Sequence, residues 1–271
     1  MKHQIKVIIA VAVYGVLASR MAAAQQVAPA QSRTWLQGSQ ITVGLGAGVT
    51  ARYAGSDEYR PVPVPVFKLV TPSGFFVDSM QGAGYRYDIN EMFFASAAIG
   101  YDAGRKDSDD GLQPGSAKLK GMGEIKGSVL ANLDAGVKLG RIGTFSVGVS
   151  QPLSNRERGL NYHAELSSTV LSLANDKVSV SGAVYFGDAK YNQTFFGVSA
   201  LQSRNSGYAK YTAESGLNAA NASIVWTHSF NQAWSLSTML GATHYMQKAA
   251  NSPLVFAKTN YSGFTSVNYS F

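Results

Sequence analysis

The sequence YSGFTSVNYSF, residues 261–271, alternates between two rows of side chains that differ in polarity. The row that begins with Tyr261 contains Tyr269 and Phe271, whereas the row that begins with Ser262 carries mostly hydroxyl and amide groups. Successive side chains of a β-strand point to opposite faces, so one face of this segment can meet lipid and the other water. We interpret it as a membrane-spanning strand, and the alternative is an edge strand of a soluble sheet.

A second and longer alternation runs from Ile41 to Tyr53. One of its rows is apolar, and the other holds small or polar residues, with glycine at positions 44, 46 and 48. A helix would scatter the apolar residues around its axis, so the period of two predicts a strand. We expect this strand to pair with residues 261–271, because that pairing removes both edges of a sheet that has closed on itself.

The first residues of the chain have the three parts of a secretory signal. Lys2 and Lys6 give a basic start, Val7 to Ala18 is apolar, and Ala22-Ala23-Ala24 offers a small-residue cleavage site. The apolar run is too short for a transmembrane helix, which needs about twenty residues. We therefore predict a signal peptide at 1–24, a polar periplasmic lead-in at 25–40 and an outer-membrane barrel at 41–271.

Composition indicates the same class of protein. Cysteine is absent, charged residues are 14% of the chain, and there are 28 glycines, 14 tyrosines and 13 phenylalanines. A charge-poor chain rich in glycine and tyrosine is typical of a β-barrel in lipid, and the lack of cysteine excludes lipoprotein acylation and thiolate metal sites. The net charge of +7, part of it in the signal peptide, does not indicate nucleic acid but suits contact with anionic lipopolysaccharide.

The order of strands, turns and loops predicts an all-β, transmembrane, antiparallel up-and-down barrel of about twelve strands. A barrel with both ends in the periplasm needs an even strand count, so we divide Phe75 to Asp88 into two strands bent at Ser79 to Gly82. Short turns are expected on the periplasmic side, and long loops such as 104–120 and 190–217 on the outer side. Proline cannot donate to a strand ladder, so Pro61 to Pro65 is expected to be a rim or weakly paired strand.

Charged residues of both signs fall on rows opposite the lipid-facing ones, and we expect them to line the lumen. They are Arg52, Lys68, Asp78, Arg86, Asp88, Glu124, Lys126, Asp134, Lys138 and Glu165. A network of ion pairs across a narrow interior could close it to bulk flow. A barrel of about twelve strands is also near the size at which side chains stop filling the interior, so a narrow channel for small solutes is an alternative function.

Catalytic and metal-binding patterns are weak in this sequence. His163 shares a row with Glu165 and Ser167, but side chains two residues apart on one strand lie parallel, whereas a nucleophile must meet its base within hydrogen-bond reach. The acidic residues Asp107 to Asp110 lack the spacing of a calcium loop. An outer-membrane hydrolase is therefore the third alternative, and we expect no catalytic residue, cofactor or metal.

A set of short motifs follows the predicted strands in a fixed order. They are Tyr53-Ala54-Gly55-Ser56-Asp57-Glu58-Tyr59-Arg60, Pro63 and Pro65, Gly82-Ala83-Gly84-Tyr85, Gly121-Met122-Gly123-Glu124-Ile125, Phe195-Phe196-Gly197-Val198-Ser199, Ser206-Gly207, Ala249-Ala250-Asn251-Ser252-Pro253-Leu254 and Tyr269-Ser270-Phe271. In order and spacing they resemble the MipA/OmpV family of outer-membrane proteins, over about Ile41 to Phe271.

The resemblance implies a role that involves no catalysis. The named member of the family is regarded as a scaffold that interacts with a lytic murein transglycosylase and a murein synthase, and other members are linked to adhesion, osmotic response and antibiotic susceptibility. For this chain it implies a non-enzymatic scaffold for murein-processing enzymes, held in outer-membrane lipid and lipopolysaccharide. The aromatic residues Tyr269 and Phe271 also resemble the terminal signal that the machinery for barrel assembly reads.

Overall fold

A computed structural model describes residues 36–271 of the chain. The predicted signal peptide and most of the predicted lead-in, residues 25–40, lie outside the described residues. The first strand begins at Gln40, one residue before the predicted start of the barrel. None of the helices within residues 36–271 is long and apolar enough to cross a membrane.

Twelve antiparallel strands form one closed barrel in which each strand pairs with its neighbours in sequence and β1 also pairs with β12. Their bounds are β1 Gln40–Ala51, β2 Tyr59–Val70, β3 Phe75–Asp78, β4 Gly82–Asp88, β5 Phe93–Asp102, β6 Ser128–Lys138, β7 Thr144–Pro152, β8 Asn161–Ser172, β9 Asp176–Gly187, β10 Gly216–Ser229, β11 Trp234–Tyr245 and β12 Thr259–Ser270. The strand number, the up-and-down order and the division of residues 75–88 into two strands confirm the predicted fold.

The first and last strands close the barrel as predicted, and their register explains the glycines of β1. Thr42 lies opposite Ser270, and the pairing continues along both strands to Thr50 opposite Ser262. On the lumen side β12 approaches β1 so closely that a Cβ atom on Gly46 would lie 2.1 Å from the carbonyl oxygen of Thr265. Glycine is therefore required here by the distance between the strands rather than by its backbone angles.

The outward rows of the strands present large apolar side chains to the surroundings. Leu45 is 69% exposed, Leu240 56% and Leu133 54%. A soluble monomer rarely exposes so continuous an apolar surface, whereas the hydrocarbon of a bilayer covers it. Near one end of the barrel the ring of Tyr269 contacts those of Trp234 and Phe271, with centroids 5.0 and 4.9 Å away. Aromatic side chains of this kind are typical of a membrane interface.

The proline-rich strand β2 is paired fully on one edge and only partly on the other. All its residues pair with β1, but β3 pairs only with Lys68–Val70. The Phe67 amide points away from β1 and donates to Ser79 Oγ at 3.3 Å. Amides two residues apart point the same way, so the ring nitrogens of Pro61, Pro63 and Pro65 lie along the uncovered edge. They remove the donors with which another strand could pair, so the predicted weak pairing applies to this edge alone.

The two ends of the barrel differ in the length of their connections. At the end where β1 begins, the connections are residues 71–74, 89–92, 139–143, 173–175 and 230–233. At the other end they are residues 52–58, 79–81, 103–127, 153–160, 188–215 and 246–258. The periplasmic turns of outer-membrane barrels are short, so the first end is the periplasmic one and the long loops lie outside.

Two of the predicted lumen charges lie in an outer loop instead of the barrel wall. β6 begins only at Ser128, so Glu124 and Lys126 belong to loop 103–127, where both side chains are exposed. The prediction is wrong for these two residues because the chain before β6 bridges to another part of the same loop, through Arg105 and Ile125.

Candidate functional site

Three outer loops fold over the mouth of the barrel and pack against one another. We call residues 103–127, 188–215 and 246–258 together the lid. The second of these loops forms two helices, α1 Ala189–Phe196 and α2 Ala200–Ser206, and the third forms one turn of helix, α3 Gln247–Ala250. Long loops without any secondary structure are uncommon in compact proteins, and these loops are ordered by their own short helices.

Helices α1 and α2 of the lid begin at residues whose side chains accept free backbone N–H groups. Asp188 caps α1 through its carboxylate. Ser199 and Gln202 form a reciprocal capping box at the start of α2. Gly207 ends α2 in the left-handed conformation with φ of 81°, and the Ser206 hydroxyl donates to the Gln202 carbonyl at 2.7 Å. The Ser206-Gly207 motif is thus the C-terminal end of a lid helix.

Two apolar clusters hold the lid to the barrel. The first joins the upper wall to α1 and α3 and consists of Ala183, Tyr185, Phe196, Ala213, Ala219, Tyr245 and Ala249. The second joins the end of β1 to all three lid loops and consists of Tyr53, Leu119, Met122, Val198 and Leu254. Leu119 and Val198 have no exposed surface at all. The outer mouth of the barrel therefore contains a small packed core.

The motif that follows β1 fixes the third lid loop. The Tyr53 hydroxyl donates to the Leu254 carbonyl at 3.1 Å. The Asn260 side chain accepts the Gly55 N–H at 2.9 Å and donates to the Ser56 carbonyl at 2.7 Å. Asn260 is buried, so its amide replaces water as the partner of two backbone groups.

Further motif residues join the lid loops to one another. The Ser252 hydroxyl donates to the Phe196 carbonyl at 2.6 Å. The Lys118 ammonium lies 2.6 Å from Asp57, and this hydrogen bond lowers the pKa of the Asp57 carboxyl. The Tyr208 hydroxyl donates to the Lys118 carbonyl at 2.7 Å. These contacts connect all three loops to the turn between β1 and β2.

The remaining motif residues lie beside the lid or on the barrel wall. Tyr59 opens β2, and its hydroxyl accepts the Tyr261 N–H at 3.2 Å. Pro63 and Pro65 lie on the uncovered edge of β2, and Pro253 lies in the turn after α3. The motif residues that the structure brings together in or against the lid are Tyr53, Gly55, Ser56, Asp57, Ser206, Gly207, Ser252 and Pro253. They hold the lid in place and carry no reactive arrangement.

We expect Asn260→Ala to loosen the third lid loop. The substitution leaves the Gly55 N–H and the Ser56 carbonyl without their partner, which costs about 2 kcal/mol of local stability. Hydrogen exchange should then accelerate at the Phe256 amide, which bonds to the Gly55 carbonyl at 2.7 Å. Asn205→Ala, on the exposed surface of α2, is the matched control. Equal exchange rates in the two variants would contradict this role of Asn260.

A cavity of about 170 Å³ lies between the lid and the upper lumen. We call it the vestibule, and it has room for about ten water molecules. The barrel wall contributes Thr50, Arg60, Asp102, Asn161, Tyr185, Asn218, Thr243, Tyr245 and Ser262, and the segments above contribute Arg52, Tyr53, Arg105, Tyr191, Phe195 and Phe196. The vestibule is thus lined by aromatic rings, amide and hydroxyl groups, and a group of arginines.

Arg105 is the most deeply buried charge on the lid side of the vestibule. Its side chain is only 5% exposed, and it donates to the Phe195 carbonyl at 2.8 Å. Its Nε is buried without a hydrogen-bond partner among the described residues. Burial lowers the pKa of Arg105 to about 10, so the guanidinium remains charged at neutral pH.

A buried ion pair joins the loop of residues 153–160, which contacts the lid, to the barrel wall. Arg158, with 4% of its side chain exposed, is paired with Asp102 at the end of β5. The same guanidinium donates to the Lys126 carbonyl at 3.2 Å and lies 5.3 Å from the ring centre of Phe195. One side chain therefore joins β5, the loop before β6 and helix α1.

The lower lumen contains part of the predicted charge network. Asp88 lies 3.2 Å from Arg86 and 3.1 Å from Lys138, so three of the predicted residues form a connected group across β4 to β6. The Arg86 guanidinium also stacks on Phe94, 3.7 Å from its ring centre. Phe94 is almost fully buried, so this group fills space on one side of the lumen.

The other predicted lumen charges are more scattered. Arg52 follows β1 and pairs with Asp109 of the lid, while Glu165 lies on β8. Lys68 and Asp78 are cross-strand neighbours, yet within residues 36–271 no ion pair joins them. Within residues 36–271 no ion pair therefore links Lys68 and Asp78 to the group around Asp88, and closure of the lumen by charge stays a prediction.

His163 has a carboxylate partner that the sequence did not indicate. Its Nε2 lies 3.1 Å from Asp134 of β6, and the Ser96 hydroxyl lies 3.4 Å from the same carboxylate. In the described part of the chain no hydroxyl lies within hydrogen-bond distance of the imidazole, so Ser167 is not positioned as a nucleophile beside His163. Residues 36–271 also contain no cluster of three or more potential metal ligands.

Sequence reasoning did not identify Arg105 or Arg158 as site residues. Both residues lie in loops between strands, where polar and apolar side chains do not alternate regularly, so no sequence pattern assigns them to a face of the barrel. Asn161 opens β8 and was assigned no role, although its buried Oδ1 borders the vestibule without a hydrogen-bond partner among the described residues. Burial of these groups becomes visible only once the lid is folded.

The fold and the lid together define a class of protein: an outer-membrane β-barrel of twelve strands whose outer mouth is covered by its own packed loops. Residues 43–271 match the family described as MltA-interacting protein MipA. The chain therefore belongs to the MipA family, which confirms the resemblance noted in its motifs.

Solved structures with a related fold are outer-membrane barrels. An outer-membrane channel from Pseudomonas putida F1 is 13% identical, with 91% of this chain and 100% of that chain covered and a TM-score of 0.42. The translocator domain of the autotransporter NalP from Neisseria meningitidis is 11% identical, with coverage of 86% and 88% and a TM-score of 0.44. Among curated proteins no sequence matches. These structural similarities concern the fold alone.

Proposed function

We propose that the protein is a non-enzymatic scaffold of the outer membrane that binds murein-processing enzymes through its periplasmic turns. In this proposal the signal peptide at 1–24 directs export, and lipid and lipopolysaccharide surround the barrel. The description of the family as an MltA-interacting protein supports a murein enzyme as a partner. The murein synthase is a second partner that only the family resemblance implies.

The packed lid is the observation that carries this proposal. A channel needs an open outer mouth, whereas here Leu119, Val198 and Leu254 are buried in a core above the lumen. Close-packed clusters of this kind contain few voids larger than a water molecule, and the vestibule lies beside the cluster rather than through it. The lid therefore favours a barrel that serves as a membrane anchor over a barrel that serves as a pore.

The periplasmic turns offer a surface on which a partner enzyme could bind. Four of them carry large exposed apolar side chains: Ile89 is 57% exposed, Ile142 67%, Leu173 61% and Phe230 58%. Apolar residues on turns that face the periplasm are suited to contact with a protein, and the nearby Arg141 can add a charged contact.

Crosslinking in cells tests the scaffold. A photoreactive amino acid at Ile142 or Leu173 is expected to capture a lytic transglycosylase or a murein synthase, identified by mass spectrometry. The same amino acid at Leu112, which is 59% exposed in the outer loop 103–127, is the control and should capture neither enzyme. Absence of both enzymes from every turn position would overturn the proposal.

Electrical recording tests the channel alternative with the same protein. Reconstituted into planar bilayers, the scaffold is expected to show no stable, size-selective conductance, because the lid covers the outer mouth. A stable conductance that discriminates between solutes by size would favour the narrow channel.

A further inference from the structure

The charges around the vestibule do not balance. Its lining contains Arg52, Arg60 and Arg105 but a single carboxylate, Asp102. That carboxylate is paired with Arg158, and Arg52 is paired with Asp109 outside the cavity. Asp102 and Asp109 are therefore each already occupied by another arginine.

Arg105 remains a buried cation without an ion-pair partner. Within residues 36–271 no acidic side chain forms an ion pair with it, the charge of Asp107 acts on it only from a longer distance, and the ring of Tyr53 is centred 5.8 Å from the guanidinium carbon. A buried charge without a counter-charge is costly, so such groups are usually paired or bind an ion. The guanidinium fork matches the geometry of a carboxylate.

The rest of the lining suits the body of an organic anion. Aromatic rings of Tyr53, Tyr185, Tyr191, Phe195 and Tyr245 border the cavity. The buried amide of Asn161 adds a group that can hydrogen-bond a polar substituent. Concave sites with mostly apolar walls and a few placed polar groups are typical of binding sites for small molecules.

We propose that the vestibule binds a small organic carboxylate, with Arg105 receiving the carboxylate and the aromatic rings enclosing an apolar body. One guanidinium without an ion-pair partner matches one negative charge, so a compact monoanion fits better than inorganic phosphate. The site lies under the lid, at the opposite end of the barrel from the periplasmic turns, so the proposal does not depend on the scaffold function.

Equilibrium dialysis of the full chain in detergent micelles tests the site, with radiolabelled benzoate as the probe. Benzoate is expected to bind saturably. Inorganic phosphate and the neutral isostere benzamide are each expected to bind at least about tenfold more weakly. Benzamide lacks the charged hydrogen bond to Arg105, and phosphate does not match its geometry and charge. Benzamide binding as tightly as benzoate would overturn the assignment, and so would the absence of saturable benzoate binding.

Two variants place the site within the vestibule. Arg105→Gln removes the charge. Thr50→Trp adds a large side chain to the cavity from β1 and leaves the Arg105 charge in place. Each variant is expected to weaken benzoate binding about tenfold or more. Arg141→Gln, at an exposed periplasmic turn, is the control and should bind as the unaltered protein does. Unchanged binding by a folded Arg105→Gln protein would overturn the proposal. If the Arg105→Gln protein fails to fold, the Thr50→Trp protein provides the test. Unchanged benzoate binding by Thr50→Trp would also overturn the proposal.

Discussion

Gly46→Val is expected to prevent most of the protein from closing into a barrel. A Cβ atom at this position would lie 2.1 Å from the Thr265 carbonyl oxygen and 2.7 Å from the Ser266 Cα atom, and both are backbone atoms of β12. Valine is a better strand former than glycine, so the loss cannot come from local preference. The heat-modifiable form on gels of outer-membrane fractions measures closure, and we expect it to fall to a small fraction of the unaltered level.

Ala47→Val is the matched control for this experiment. It introduces the same side chain one residue later, on the exposed outward row of β1, where lipid accommodates the added methyl groups. The control should assemble like the unaltered protein. If Gly46→Val assembled equally well, the strands β1 and β12 would have to be further apart than the structure places them.

The strands could be predicted because each side chain of a membrane barrel faces one of two very different solvents. Lipid on one side and water on the other impose a period of two on β1 and β12, and the pattern is visible without any knowledge of neighbours. The same pattern identified the row of glycines in β1. The pattern could not explain why these residues are glycines, because the distance between β1 and β12 is a property of the folded sheet.

The lid could be predicted only as a set of long loops. Its residues have no period, so the sequence assigned Glu124 and Lys126 to a strand that begins later, at Ser128. The family resemblance identified residues such as Ser252 but not the groups that they contact. The contact of Ser252 with the Phe196 carbonyl joins residues 56 positions apart, and no local pattern encodes such a distance.

The lumen charges show the limit of assigning faces by parity. Parity places Arg86 and Lys138 on the inner face, and the structure joins both to Asp88. It places Lys68 and Asp78 inside as well, but the Asp78 carboxylate is used by the turn after β3, where it accepts the Met80 N–H at 2.7 Å. The face of the barrel on which a side chain lies is therefore predictable. The partner of that side chain also depends on its position along the barrel axis, on its rotamer and on competing hydrogen-bond donors.

Asp102→Ala is expected to release the lid from the barrel wall. The substitution leaves the Arg158 guanidinium, with only 4% of its side chain exposed, without its counter-charge. Removing one partner of a buried ion pair costs about 3–5 kcal/mol, since the remaining charge must stay desolvated or move to water. Arg158 can reach water only by leaving Phe195 and the Lys126 carbonyl, so α1 should lose its packing. Faster hydrogen exchange across residues 189–196 is the measurement.

Two further variants decide whether the buried charge is the cause. Asp110→Ala removes the exposed ion pair with Lys106 and should leave hydrogen exchange in the lid almost unchanged, because exposed ion pairs contribute little to stability. The double variant Asp102→Ala with Arg158→Met removes the unpaired charge and keeps most of the side-chain volume against Phe195, so much of the protection should return. If the double variant exchanged as fast as Asp102→Ala alone, the loss would come from packing or from the Gly104 N–H that Asp102 accepts at 2.7 Å, and the charge would not be what holds the lid.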